Sequence, residues 1–287
     1  MIESNPFAIL SESLGLDPSV MQAYIILMVL LVIGGTLLDV VHKKSATYFF
    51  EKGQSLKKLA KREVGGGEKL GIAVSTLTNE VLTSGEFENP ERRISHLFTM
   101  YGFIVFVVTT AVLIFGLPVA QGEGSGLVPA LWHLGALSLC FGGYWFWLKI
   151  RVDVRSDGNA WYNVHQSDLF IVSLLLMATF ALIWSALQAF VGATSVWTII
   201  AFVVFIAAST TLFSTVLWSK FAHMFFKPAA AFQKKVAVAD GSRDKLPEIP
   251  ELSSAECKAR YPDIPEYMGA NPPNMGLGIK REAPAHY

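Results

Sequence analysis

The sequence carries little charge for its length. Only 16% of its 287 residues are Asp, Glu, Lys or Arg, whereas charged residues make up about 25% of a typical soluble domain. Acidic and basic residues balance at a net charge of zero, which excludes nucleic acid as an expected partner. Hydrophobic residues make up 52% of the chain and its mean hydropathy is +0.44. The composition therefore indicates an integral membrane protein, with the lipid bilayer as a partner.

Cysteine is almost absent as well. The two cysteines are Cys140, inside an apolar run, and Cys257, near the C-terminus. Residues at such different depths cannot form a disulfide, and the absence of any CxxC pair argues against an iron–sulphur or zinc site built by this chain alone. Residues 1–20 contain no Lys or Arg. They lack the basic start of a cleavable signal peptide, so we expect the first apolar run to be retained as a span.

Five apolar runs are long enough to cross a membrane. A helix needs about 20 such residues to span the hydrocarbon layer, so the runs predict an all-α integral membrane protein with five transmembrane helices. The predicted spans are residues 22–41, 97–117, 128–148, 169–190 and 196–217.

Lys and Arg are absent from every second segment outside the predicted spans. All 23 of them fall in three segments that an odd number of spans places on one side of the membrane. The segments that contain them are residues 43–93, 149–155 and 220–281, and the segments without any are residues 1–20, 118–130 and 192–197. Because cytoplasmic loops retain Lys and Arg, we expect the N-terminus outside, the C-terminus in the cytoplasm, and a location in the cytoplasmic (inner) membrane.

The chain divides into three regions on these grounds. Residues 1–20 form an external tail, and residues 21–235 form the five-helix membrane domain, with a cytoplasmic amphipathic loop at 43–95. Within that loop, a helical piece near 70–82 could dock on a soluble partner. Residues 236–287 are rich in proline and cannot build a core of their own. They form either a disordered tail or a docking arm, and their spaced large apolar residues favour the arm.

Two histidines stand out at the cytoplasmic ends of the predicted spans. His96 opens the second span and His223 extends the fifth, so both lie at the same depth on different helices. Two imidazoles facing each other from separate helices are what axial ligation of a b-type haem requires. Arg92, Arg93 and Lys220 lie close by in sequence and could pair with the haem propionates. The alternative is a pair of interfacial histidines that touch nothing.

The sequences around these histidines carry a resemblance to a known family. Arg-Arg-Ile-Ser-His-Leu-Phe-x-x-Tyr-Gly-Phe at 92–103 and Ser-Lys-Phe-Ala-His-Met-Phe-Phe-Lys-Pro at 219–228 resemble motifs of the five-span cytochrome b membrane subunits. That family includes the respiratory nitrate reductase gamma subunit and the membrane subunit of heterodisulfide reductase. Ser-Asp-Leu-Phe at 167–170 adds to the likeness, which covers residues 20–235.

Within that family the chain looks most like the membrane anchors of dissimilatory adenylylsulfate reductases, because it has no ferredoxin-like cysteines and ends in a proline-rich tail. The resemblance implies a membrane-anchoring electron-transfer subunit that holds haem b and links a cytoplasmic flavin and iron–sulphur enzyme of sulphur metabolism to the quinone pool. Such a chain is a non-catalytic or quinone-reactive subunit, without catalytic residues of its own. The alternative is a haem-free structural anchor for a soluble complex.

The sequence also departs from the two-haem members of that family. They carry a second pair of histidines on the same two helices, and the corresponding stretches here, around Phe106 and Phe205, have none. His133 is the only histidine predicted in the outer half of the membrane. It is an outer haem ligand with a non-histidine partner, a hydrogen-bond donor to quinone, or a satisfied interfacial residue. His165, in a polar loop, contacts quinone or a partner, or is simply solvated.

Overall fold

The computed structural model describes most of the chain. The described residues are 4–42, 45–85, 87, 89–116, 126–152, 160–216, 218–219, 223–243 and 255–260, with the backbone alone at 45–50, 223, 225 and 257–258. The predicted anchors of the C-terminal arm after residue 260 lie outside them.

Helices account for all the regular structure in the described residues. They are α1 (Pro6–Leu14), α2 (Pro18–His42), α3 (Ser45–Leu59), α4 (Gly66–Thr76), α5 (Pro90–Phe115), α6 (Leu127–Trp145), α7 (Leu169–Phe190), α8 (Val196–Ser214), α9 (His223–Ala239) and α10 (Ala255–Arg260). Helix α4 continues as a π-helical segment over Leu77–Leu82, α6 continues likewise over Phe146–Ile150, and a short 3-10 turn at Gln166–Asp168 leads into α7.

The predicted fold class is confirmed in its helical content and its spans. Five helices are long and apolar enough to cross a membrane: Pro18–His42, Pro90–Phe115, Leu127–Ile150, Gln166–Phe190 and Val196–Ser214. The chain is therefore a multi-pass membrane protein. In the bundle, α5 packs along α6, α6 along α7 and α7 along α8, while α2 packs on α8.

Glycines bring α5 and α6 into close contact. A Cβ added at Gly102 would lie 2.5 Å from the Leu139 backbone nitrogen, and one at Gly142 would lie 2.5 Å from the Ser95 carbonyl oxygen. The Ser95 hydroxyl donates a hydrogen bond to the Gly142 carbonyl at 2.8 Å across the same contact. Small residues allow such close backbone approach between membrane helices. This contact fixes the position of α5 in the bundle.

A short helix within the predicted external tail closes the end of the bundle opposite His96. Asn5 caps α1, its side-chain oxygen accepting from the Phe7 N–H at 3.0 Å, and its amide donates to the Leu113 carbonyl at 3.0 Å. Phe7 and Leu10 are 3% and 1% exposed. The tail is thus partly folded against α5 and α7.

The other end of the bundle carries a layer outside the spans, formed by α3, α4 and α9. The Lys235 ammonium of α9 lies 3.0 Å from the Glu80 carboxylate of the π-helical segment. The Asp240 carbonyl, just after α9, accepts a hydrogen bond from the Lys61 N–H at 2.8 Å. Because α9 is a separate helix, His223 does not continue the fifth span.

The fifth span ends at Ser214, three residues earlier than predicted. Four hydroxyls near its end, those of Ser209, Thr210, Thr211 and Thr215, each donate to a backbone carbonyl one turn back. Side chains that compete for the carbonyls of a helix weaken and bend it. The turn that follows is closed by the Trp218 N–H, which donates to the Thr215 carbonyl at 2.9 Å.

A largely buried ion pair joins the end of α6 to the start of α7. The Arg151 guanidinium contacts the Asp168 carboxylate, with the two side chains only 8% and 11% exposed. The same guanidinium donates to the Asn163 carbonyl at 2.5 Å and lies 4.2 Å from the Trp147 ring centre. Asp168 also accepts from the His165 N–H at 2.9 Å. The pair therefore closes the loop between these two spans.

Replacing Asp168 with Asn should strongly destabilise the fold. Removing one partner of a buried ion pair leaves an uncompensated charge and costs about 3–5 kcal/mol. Unfolding of the detergent-solubilised chain by heat or denaturant measures this loss. The matched control is Glu91→Gln, which removes an exposed pair in which the Lys149 ammonium lies 2.7 Å from the Glu91 carboxylate. That change should cost about 0–1 kcal/mol. Equal losses of stability in the two variants would contradict a larger contribution from the buried Arg151–Asp168 pair.

Candidate haem site

His96 lies in the second turn of α5 and is held from one side by the segment before that helix. Its ring nitrogen Nδ1 is 2.9 Å from the Ser84 hydroxyl. The Phe87 ring packs against the imidazole, with 4.9 Å between ring centres. Asn89 positions the helix start, since its side-chain oxygen accepts from the Glu91 N–H at 2.9 Å. The segment before α5 therefore supplies two contacts to the His96 ring.

Ser84 adopts an unusual backbone conformation to make this contact. Its φ angle is +50° and its side chain is fully buried, at 0% exposure. A non-glycine residue in the left-handed region is uncommon, and such residues concentrate at functional sites. The turn is fixed by the Gly85 N–H, which donates to the Asn79 carbonyl at 2.7 Å. The chain thus holds a strained serine against His96.

Two cationic side chains lie near the Phe87 ring, which packs against His96. The Arg92 guanidinium carbon lies 5.3 Å from the ring centre, and the Lys227 ammonium lies 5.4 Å from it. Arg93 donates through Nε to the Thr83 carbonyl at 2.7 Å. These are cation–π and hydrogen-bonding contacts of ordinary geometry. Because Lys227 belongs to α9, its contact with Phe87 links that helix to the segment before α5.

The second predicted ligand, His223, lies at the start of α9. His223 is the first residue of α9, one helical turn before Lys227. Its side chain is outside the described residues, as is Lys220 entirely. The pairing of His223 with His96 therefore stays a prediction, and the fifth span itself ends before His223.

The residues present fit a haem iron at His96. A histidine that binds a metal usually engages a partner through its other ring nitrogen, which fixes the ring orientation. The Ser84 hydroxyl is a partner of this kind for His96 Nδ1. Arg92 and Lys227 place positive charge near the Phe87 ring, which packs against the His96 imidazole. Within the described residues, no three His, Cys, Asp or Glu side chains are grouped as a metal site, whereas a haem needs only two axial ligands from the chain.

Aromatic side chains fill the opposite half of the bundle. Phe106 and Phe205 lie 6.5 Å apart between ring centres. Trp132 is 5.2 Å from Phe106, Trp184 stacks on Phe205 at 5.8 Å, and Phe7 of α1 packs against both tryptophans. All five residues are at least 96% buried. Packed rings therefore occupy the space that an outer haem would require.

His133 lies next to this aromatic cluster and has partners for both ring nitrogens. Nδ1 is 2.7 Å from the Pro129 carbonyl and Nε2 is 2.7 Å from the Ser185 hydroxyl. The residue is 6% exposed. Of the three interpretations given above for His133, this geometry favours the satisfied residue. His165 is exposed, and its backbone joins the cap at the start of α7.

Three residues of the site carried no sequence signal of their own. Ser84, Phe87 and Lys227 meet His96 or each other through contacts that a short motif does not reveal, although Lys227 falls inside the quoted 219–228 motif. Comparisons with protein-family models, with curated proteins and with solved structures gave no match for this chain. The assignment of the site therefore depends on these residues and contacts.

Proposed function

We propose that this chain is a membrane-anchoring electron-transfer subunit that binds haem b between His96 and His223. It would link a cytoplasmic flavin and iron–sulphur enzyme to the quinone pool. The absence of ferredoxin-like cysteines and the proline-rich tail resemble the anchors of adenylylsulfate reductases, so we take that enzyme of sulphur metabolism as the partner. The observation that supports the proposal is the Phe87 ring, which packs against His96 and also contacts Lys227 of α9.

In this proposal, the residues at the haem site have separate roles. His96 and His223 hold the iron, and Ser84 keeps the His96 ring in orientation. The charge of the haem propionates would be neutralised by Arg92, Arg93 and Lys227. Lys220 would share this role. A haem b bound there carries single electrons, while the protein supplies binding, orientation and local charge. The distribution of Lys and Arg supports an orientation with this end of the bundle in the cytoplasm.

Quinol-driven reduction tests this function in the native complex. Membranes that contain the chain and its soluble partner should show reduction of the b-type haem on addition of a menaquinol or ubiquinol analogue, or its oxidation by the matching quinone. Purification through a tag on this chain should recover the flavin and iron–sulphur enzyme. Recovery of that enzyme without any b-type absorbance would instead establish the haem-free structural anchor.

Replacing Ser84 with Ala should loosen the haem without removing its ligand. Loss of a partner that orients a metal-bound histidine lowers affinity about 10- to 100-fold, so haem should dissociate faster and its reduction potential should shift. Ser84→Gly should have the same effect, because glycine accepts a positive φ without strain and lacks the hydroxyl that contacts the ring. The control is Thr83→Ala, whose hydroxyl donates to the Asn79 carbonyl at 2.8 Å and does not contact His96. Unchanged haem retention and reduction potential in Ser84→Ala would refute the role of Ser84 in orienting the His96 ring.

A further inference from the structure

Helix α4 and its π-helical continuation carry an apolar stripe that the rest of the described chain leaves uncovered. Leu70, Val74 and Leu77 follow one another at helical spacing and are 67%, 54% and 53% exposed. Leu82, at the end of the π-helical segment, is 43% exposed. We call these four residues the α4 stripe. An exposed apolar surface of this kind contacts either a protein or a membrane.

The other faces of the same helix have different surroundings. Thr76 is 3% exposed and Glu80 pairs with Lys235 at 3.0 Å, so one face packs on α9. Glu68 and Asn79 lie on a third, polar face and are exposed. The stripe therefore faces away from both α9 and the polar side. A helix with separate protein, water and apolar faces is suited to the boundary of a bilayer.

The end of the stripe lies against the second membrane span. The Tyr101 hydroxyl of α5 donates to the Leu82 carbonyl at 2.7 Å. Side chains on a helix lean toward its N-terminus, so this bond sets Leu82 about one turn before Tyr101. That level is within the helix Pro90–Phe115, which is apolar enough to span a membrane. Leu82 is therefore level with the first apolar turns of this span.

The α4 stripe is also continuous with the lipid-facing side of that span. Ile94, Phe98 and Tyr101 follow one face of α5 at helical spacing, and each is 43% exposed. The exposed apolar face of a spanning helix contacts lipid, and the stripe joins this face at the contact between Tyr101 and Leu82. Five basic and two acidic residues between 57 and 69 precede the stripe. Such a basic cluster is attracted to anionic lipid headgroups.

We propose that α4 and the π-helical segment lie in the leaflet at the His96 end of the bundle, with the α4 stripe in contact with lipid acyl chains. This surface is then a membrane contact, and the helical piece at 70–82 is not a docking surface for a soluble protein. A soluble partner would have to bind to other parts of this end, such as the polar face of α4.

Accessibility measurements on the full chain in phospholipid vesicles test the proposal. Cys140 and Cys257 are replaced with Ala, and a nitroxide label is attached after Leu70→Cys, Val74→Cys or Leu77→Cys. The control is Asn79→Cys, on the polar face of the same helix. We expect collisions with water-soluble nickel chelate to be lost at the three stripe positions and retained at Asn79, with the reverse order for oxygen. Equal nickel accessibility at all four positions would overturn the proposal and leave the stripe available to a protein.

A second measurement uses the wild-type chain and does not depend on any substitution. Vesicles are prepared with a phospholipid that carries a photoactivatable group on its acyl chain, and the cross-linked peptides are identified by mass spectrometry. Tryptic cleavage after Lys69 releases the stripe in a peptide that begins at Leu70. We expect lipid adducts within residues 70–82 as well as in the spans. Adducts in the spans without any at 70–82 would contradict lipid contact of α4.

Discussion

Replacing either His96 or His223 with Ala is expected to abolish the low-spin b-type absorbance of membranes that contain this chain. Each substitution removes one of the two axial ligands that separate helices would supply to the iron. Reduced-minus-oxidised difference spectra, normalised to the amount of chain, measure the loss. The effect should be complete for both variants, because one imidazole cannot maintain six-coordinate low-spin iron by itself.

Two other histidines provide controls for this experiment. His42 ends α2 and His165 is exposed in the loop before α7. His42→Ala and His165→Ala should leave the spectrum and the amount of folded chain unchanged. A b-type spectrum that survives His96→Ala, or that disappears with His165→Ala, would assign the ligands differently.

Adding one methyl group between α5 and α6 is expected to destabilise the packing of these two spans. The Cβ atoms of Gly102→Ala and Gly142→Ala would each come within 2.5 Å of backbone atoms of the facing helix. Backbone cannot move aside as a flexible side chain can, so the two helices must separate. Overpacking in a well-packed core costs about 1–3 kcal/mol and occasionally more. The midpoint of unfolding in mild detergent should fall for both variants.

The control for these two glycines is a substitution that should not lower the stability of the fold. A Cβ at Gly34, in the middle of α2, would have no atom within 4 Å. Gly34→Ala should therefore be neutral or stabilising, by up to about 1 kcal/mol, because alanine is the better helix former. Loss of stability in Gly34→Ala comparable to that in Gly102→Ala would show that the glycines matter for a reason other than this contact.

The five spans could be predicted from the sequence because bilayer thickness sets the length of an apolar run. Their ends were harder to place. The second span begins at Pro90 rather than near Leu97, since Asn89 and Pro90 form a helix start that hydropathy does not detect. The helix α1 was missed because it has only nine residues, and it is buried through Phe7 and Leu10 by contacts with the bundle. Asn5, Pro6 and the left-handed Gly15 were signals that could have revealed it.

The candidate site was predictable to the level of its histidine motifs and no further. His96 and His223 were identified from depth and resemblance, but Ser84 contacts His96 only because the chain turns back with a positive φ at that residue. Likewise Lys227 of α9 contacts Phe87, whereas the predicted Lys220 lies outside the described residues. Contacts of this kind depend on the packing of α9 against the segment before α5, and no local pattern encodes that packing.

The number of haems per chain tests the central claim most directly. The full chain is purified from membranes of a haem-replete host, and haem extracted as the pyridine complex is measured against protein. We expect one haem b per chain with the spectrum of two axial imidazoles, since aromatic rings fill the other half of the bundle. A chain that purifies folded but without haem, or with two haems, would contradict this account.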